Sequence, residues 1–328
     1  MPEQLLFAME VTLNGLMAGV LYALVALGFV LIFKASGIFN FAQGVMALFA
    51  AMTLVGIMDG QVPFAHLINA TFGTDIHHFG WHVPALLAII LTTGVMVLLA
   101  IGVQKFVMGH LVNQEPIILF MATIGLAYFL EGLSDLMWGS EIKKLDVGLP
   151  QGINETIDQV TYDLFGYGFF IDNLDIVATV IAALLVVALV LFAQYTKQGR
   201  AMRAVADDHQ AALSVGISLN FIWVLVWSLA GFVALVAGIM WGTKSGVQFS
   251  LSLIALKALP VLMLGGFTSI PGAIVGGLII GVGEKLFEFL LGPALGGATE
   301  NWFAYVLALI FLLFRPQGLF GEKIIERV

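Results

Sequence analysis

The chain has 328 residues, of which 60% are hydrophobic and only 10% charged, with a formal net charge of −8. A mean hydropathy of +1.04 excludes a soluble globular domain and places the chain among polytopic membrane proteins. The absence of cysteine excludes disulfides and thiolate metal sites.

The opening residues, MPEQLLFAME, contain no Lys or Arg. The basic start of a secretory signal is therefore missing, and the first apolar run is expected to be retained. A helix crossing the hydrocarbon core needs about 20 mostly apolar residues. Segments 11–33, 35–58, 83–104, 116–138, 176–196 and 221–243 meet or nearly meet that length. Segments 251–265 and 301–314 are short, and 273–291 is long enough but carries Glu284, Lys285 and Glu288. The expected architecture is all-α: a polytopic integral membrane bundle of eight or nine transmembrane helices, some short or broken. Gly/Pro-interrupted segments survive at membrane depth only where protein or a water-filled cavity surrounds them, so the C-terminal third is the better candidate for a transport path.

Lys and Arg set the orientation. With 199–217 taken as cytoplasmic, Lys34, Lys105, Lys197, Arg200, Arg203, Arg315, Lys323 and Arg327 share that face, against Lys143, Lys144 and Lys244 opposite. The N-terminus is then external and the C-terminus cytoplasmic, which suits nine crossings better than eight. The opposite face receives a His-containing loop, 59–82, and a long acidic loop, 139–175. A faint echo of 18–37 in 230–246 fits either an inverted repeat or chance similarity between two Ala/Gly/Val-rich helices.

Catalytic motifs are absent: there is no GxxxxGK[ST] loop, HExxH or GxSxG. His77, His78 and His82 have no neighbouring carboxylate cluster and read as solvated loop residues rather than metal ligands. No catalytic residue, cofactor or nucleic-acid partner is expected. Uphill transport would need an ion gradient or a separate ATPase. An ion-coupled carrier needs ionisable groups at depth, and the candidates here are Glu131, Asp135, Lys257, Glu284, Lys285 and Glu288.

Segment 199–217, GRAMRAVADDHQAALSVGI, is a polar helix candidate between two apolar runs. Ala201, Ala204, Ala206, Ala211 and Ala212 favour a helix, Arg203 and Asp207 stand i,i+4, and Gly216 is a natural stop. A short stiff docking helix and a solvated loop that merely enforces orientation are both open on these residues.

The chain resembles the permeases of the branched-chain amino acid ABC importer family, most closely the H-type permease, with urea and short-amide permeases also similar. The shared stretches are LNGLMAGVLYALVALGFVLIF, NFAQG at 40–44, TIGLAYFLEG at 123–132, GRAMRAVADDHQAALSVGI, LKALPVLMLGGFTSIPGAIVGGLIIGVGE at 256–284 and RPQGLFG at 315–321. The resemblance implies a single permease domain over 1–328 in a bacterial inner membrane. It also implies an M-type permease partner, two ATP-binding subunits and a periplasmic binding protein, with lipid around them. It gives 199–217 the role of ATPase coupling, through Arg200, Arg203, Asp207, Asp208 and Gly216. It sets Ser36, Asn40 and Gln43 beside the translocation path, though a capped helix break accounts for them too. Thr268 and Ser269, in the Gly/Pro turn 265–272, are path candidates or close-packing residues. Gly276, Gly277, Gly281 and Gly283 form a small-residue face for helix packing.

Lys257, Glu284 and Glu131 each lie about six or seven residues from the external ends of their helices, which at about 1.5 Å per residue gives one depth. An isolated charge there is costly, so Lys257 is expected to pair with Glu284 or Glu131, as a structural tie or as a gate. Competing classes are a self-sufficient ion-coupled carrier or channel, and a membrane-embedded assembly or receptor subunit. The exact cargo is open.

Overall fold

The computed structural model describes residues 3–111 and 114–321. Lys323 and Arg327, counted above for the cytoplasmic face, lie outside them. The described residues are helical with no strand, only three isolated bridges. In order the helices are α1 (Glu3–Ser36), α2 (Gln43–Met58), α3 (Ala65–Phe72), α4 (Ala85–Phe106), α5 (Pro116–Trp138), α6 (Glu155–Phe165) and α7 (Asn173–Tyr195). Then follow α8 (Lys197–Asp207), α9 (His209–Ser214), α10 (Leu219–Ser245), α11 (Ile254–Gly265), α12 (Ile270–Leu295) and α13 (Phe303–Phe314).

Five helices, α1, α4, α5, α7 and α10, are long and apolar enough to cross a bilayer; Phe249–Gly265 with Ile270–Leu295, bent by 114°, makes a sixth if counted as one span. Eight or nine were expected. The difference lies in that bent pair and in α2 and α13, which are apolar but only 16 and 12 residues long. The chain breaks at residues 37–42, so α1 keeps residues up to Ser36 and α2 is shortened.

Backbone contacts divide the chain into two compact units, one of Met1–Val30, Leu149–Val190 and Leu256–Val328, the other of Leu31–Gly148 and Leu191–Ala255. In the first, α1 crosses α12 with two glycines from each helix at the contact. A Cβ on Gly19 would stand 2.6 Å from the Gly277 carbonyl oxygen, and one on Gly277 would stand 2.6 Å from that of Gly19. Gly15 and Gly281 face each other one turn along, where a Cβ on Gly15 would meet the Gly281 oxygen at 2.9 Å. In a membrane, where lipid is as apolar as leucine, such backbone-to-backbone approach supplies the packing energy that a hydrophobic effect cannot.

The acidic loop 139–175 contains a helix of its own. Asn154 caps α6 by accepting from the Ile157 amide at 2.9 Å, with Glu155 and Asp158 in the first turn where the helix dipole favours them. Beyond α6, Phe169 and Ile171 bury against Leu6 of α1. Glu10 of α1 accepts from the Tyr167 hydroxyl at 2.8 Å and the Phe170 amide at 3.2 Å.

In the second unit α10 packs on α2 and α4, and α2 on α5. Gly238 lets α10 approach the Ala47 carbonyl of α2, where a Cβ would sit 2.6 Å away. Gly44, at the start of α2, lies against the Ser252 carbonyl with no room for any side chain.

Candidate functional site

Segment 199–217 is two short helices. Thr196 caps α8, its hydroxyl accepting from the Gly199 amide at 2.9 Å. Gly199 lies against the Phe192 and Ala193 backbone, which lets α8 fold back closely on the end of α7. Gly199, Met202 and Val205 form the buried stripe, three residues apart. The Asp208 backbone is extended, and its carboxylate accepts from the Gln210 and Ala211 amides at 2.8 and 3.0 Å, starting α9. A short helix and a solvated loop were both open for this segment, and the structure has two helices with a break between them. Asp208 ends the first and caps the second because its side chain competes for the amides that continuation would use. Those two amides hold its carboxyl below the usual carboxylate range.

Arg200 and Arg203 donate, both at 3.4 Å, to the Tyr195 and Gln194 carbonyls. They cover acceptors that the end of α7 leaves open. Gly216 takes φ +84° after α9, as the expected stop. Arg200, Arg203, Asp207, Asp208 and Gly216 are all exposed. So are two apolar residues the sequence did not single out, Leu213 at 53% and Val215 at 74%.

Between α1 and α2, Asn40 and Gln43 are fully buried. The Asn40 side chain accepts from the Ala42 amide at 3.1 Å and donates to Gln43 Oε1 at 3.3 Å; Gln43 Nε2 donates to the Ala230 carbonyl of α10 at 3.2 Å. Ser36 donates to the Ile32 carbonyl at 2.7 Å and accepts from the Ile38 amide at 3.3 Å. Thr123 of α5 accepts from the Phe41 amide at 3.1 Å. These polar groups hold the helix break.

The first unit carries the buried charges. Lys257 Nζ lies 2.6 Å from Glu284 Oε1, and the Tyr22 hydroxyl stands 3.4 Å from both atoms. Glu284 is fully buried, and its Oε2 has no hydrogen-bond partner. Glu131 lies half-buried on α5, in the other unit. Further along α12, Lys285 pairs with Glu300 at 2.7 Å, and Glu288 accepts from both the amide and the hydroxyl of Thr299.

Lys257 precedes a proline. Pro260, inside α11, has no N–H for the Leu256 carbonyl. The Tyr305 hydroxyl of α13 donates to that carbonyl at 2.9 Å. At the other end of α11, segment 315–321 folds back as a clasp: the Leu319 and Phe320 amides donate to the Leu264 and Gly265 carbonyls at 2.8 and 3.1 Å. In the turn between, Ser269 caps α12 through the Gly272 amide at 3.0 Å, and Thr268 is half-buried beside it. Neither Tyr305 nor the clasp was legible beforehand, although a proline inside an apolar helix signals that its i−4 carbonyl needs another donor.

His77 pairs with Asp75 at 3.0 Å. Among the described residues, no three His, Cys, Asp or Glu side chains gather to hold a metal ion.

The family model for the permease component of the branched-chain amino acid transport system matches residues 11–315. The chain is 28% identical to the high-affinity branched-chain amino acid transport system permease protein LivH of Escherichia coli strain K12, over 100% of both chains. It is also 28% identical to the permease protein BraD of Pseudomonas aeruginosa, again over 100% of both. A probable branched-chain amino acid transport permease protein LivH of Methanocaldococcus jannaschii is 28% identical over 92% of this chain and 89% of its own.

Proposed function

Because the chain belongs to the family of branched-chain amino acid transport permease components, we propose that it is the membrane-spanning subunit of an ATP-driven importer for branched-chain amino acids. ATP is hydrolysed on two separate subunits, a second homologous permease completes the path, and a binding protein delivers cargo from outside. The observation that carries this is the α8–α9 element. It is a rigid, capped pair of helices whose inner stripe is anchored and whose outer face offers Arg203, Asp207, Leu213 and Val215 to a partner. Apolar side chains beside charges on one exposed edge suit a docking contact with an apolar centre and a polar rim.

Nine crossings, formed by α1, α2, α4, α5, α7, α10, α11, α12 and α13, suit an external N-terminus and a cytoplasmic C-terminus. The pairings Leu256 with Tyr305 and Leu264 with Leu319 run α11 and α13 in one direction, and the Lys257–Glu284 pair sets α12 against them. That alternation supports α11 and α12 as a hairpin of two crossings, closed by a final crossing, α13. Asn40 and Gln43 act beside the path as the lock on the α1–α2 break, since protein groups take their hydrogen bonds. Thr268 and Ser269 lie at the hairpin turn as candidate path residues.

The test is reconstitution into proteoliposomes with the ATP-binding subunits, the partner permease and the binding protein. Labelled leucine uptake should require ATP. Leu213→Ser with Val215→Ser, or replacement of Arg203 and Asp207 together, should lower co-purification of the ATP-binding subunits while leaving membrane insertion intact. Leucine uptake by this chain alone under an ion gradient would overturn the proposal.

A further inference from the structure

A cavity of about 690 Å³ opens among the ends of α3 and α5 and the loops beside them, within the second unit. That volume falls in the range of small-molecule sites, roughly 300–1,000 Å³. Its walls are pinned by backbone hydrogen bonds. The Val62 amide donates to the His77 carbonyl at 3.0 Å, the Phe64 amide to Met137 at 3.1 Å, and Lys143 and Val247 exchange bonds at 3.0 and 2.8 Å. Trp138, on the floor, donates through its indole N–H to Thr53 at 3.2 Å and lies directly on Gly56, where a Cβ would overlap the ring. Phe64, in the chain just before Ala65 of the lining, holds φ +61°, an unfavourable conformation for a bulky residue and one that the surrounding structure must impose.

Beside the imidazoles of His66, His77 and His78, the lining has three further chemistries. Lys143 supplies a half-buried ammonium; it donates to Gln61 Oε1 and to the Trp138 carbonyl, and an ammonium has three N–H groups, so one is left for a guest. Asp135 and Glu141 supply carboxylates exposed to the cavity. Val62, Leu136 and Trp138 supply apolar surface between them. A cation, carboxylates and an apolar wall on one rigid frame match the carboxylate, ammonium and hydrocarbon side chain of a free amino acid.

We propose that this cavity is a binding subsite for the zwitterionic amino acid cargo, reached on the face opposite α8–α9 before the cargo enters the membrane path. Lys143 holds the α-carboxylate, Asp135 or Glu141 the α-ammonium, and the Trp138 side the aliphatic chain. The proposal rests on the importer assignment above, and the two can fail separately.

The experiment is saturation-transfer NMR on the assembled importer in nanodiscs, without binding protein or ATP, using L-leucine, N-acetyl-L-leucine and L-leucinamide. Leucine should give transfer, and loss of either charged end should weaken apparent affinity about tenfold, as expected for one charge-assisted hydrogen bond. Lys143→Gln should reduce leucine transfer. So should Asp135→Asn with Glu141→Gln, which alters only exposed carboxylates and spares the wall. ATP-driven leucine uptake is measured on the same preparations. Uptake by the wild type combined with no leucine transfer, or with transfer unchanged in both variants, overturns the subsite and leaves the importer assignment standing. Absence of ATP-driven leucine uptake by the wild-type assembly overturns both.

Discussion

The Tyr305 hydroxyl donates to the Leu256 carbonyl at 2.9 Å, taking the place of the amide that Pro260 lacks. A hydrogen bond from another helix thus stabilises the turn that carries Lys257. Tyr305→Phe should cost about 1–3 kcal/mol, the penalty for stranding a polar group away from water. Pro260→Ala restores the helical donor, so in that background the same change should cost little. Thermal unfolding of the four proteins in nanodiscs gives the coupling; additive losses would show that Tyr305 serves some other purpose.

The Lys257–Glu284 pair should behave asymmetrically. Lys257→Met strands a fully buried carboxylate and should destabilise by about 3 kcal/mol, the low end for a buried pair because Lys257 is partly exposed. Adding Glu284→Met should recover most of that. A tie that only holds α11 to α12 leaves the double variant stable and active. A gate leaves it stable while ATP-driven uptake slows. A double variant no more stable than Lys257→Met would show that the two charges do not depend on each other.

Glycines in similar helical settings should respond in opposite directions. Gly277→Ala sets a methyl 2.6 Å from the Gly19 carbonyl, so α1 and α12 must separate, at about 1–3 kcal/mol. Gly125→Ala in α5 meets nothing within 4 Å and should stabilise by about 0.5–1 kcal/mol through helix propensity alone. Unfolding temperatures of the two variants decide it, and equal shifts would contradict the close crossing.

Asp208 gives α9 a pH dependence. The Gln210 and Ala211 amides favour its charged form, so the folded value is depressed and the stabilisation is present above the ordinary carboxylate range. It is lost as pH falls through the lowered value. Amide exchange protection in His209–Ser214 should therefore hold from neutrality down to about pH 4 and decline below that. Asp208→Asn keeps a capping side chain that does not titrate, and its profile should be flat there as well. Identical profiles would mean that Asp208 does not control the start of α9.

How much of this was legible follows residue by residue. Apolar run length located most of the helices, because lipid imposes one length scale on every crossing. It does not separate a full crossing from a short or bent helix, since composition does not report a break such as that at residues 37–42. The counting of depth along helices drew Lys257 and Glu284 together because charge at depth narrows the choice of partners. Tyr305 and Leu256, or Lys143 and Gln61, carry no such marker: each contact joins residues far apart in sequence whose types are ordinary in loops and helix ends. The alanines of segment 199–217 favoured a helix without marking a break in it, because Asp208 acts through a local hydrogen bond that averages over a window conceal.

The clasp at 315–321 bears on biogenesis. The carbonyls of Leu264 and Gly265 receive donors from residues that follow α13, so the last turn of α11 is completed by chain made after both helices of the hairpin. During synthesis those two carbonyls must therefore rely on water until the downstream segment has threaded back to them. The hairpin is thus finished late, and the ribosome's order of delivery becomes part of how this fold closes.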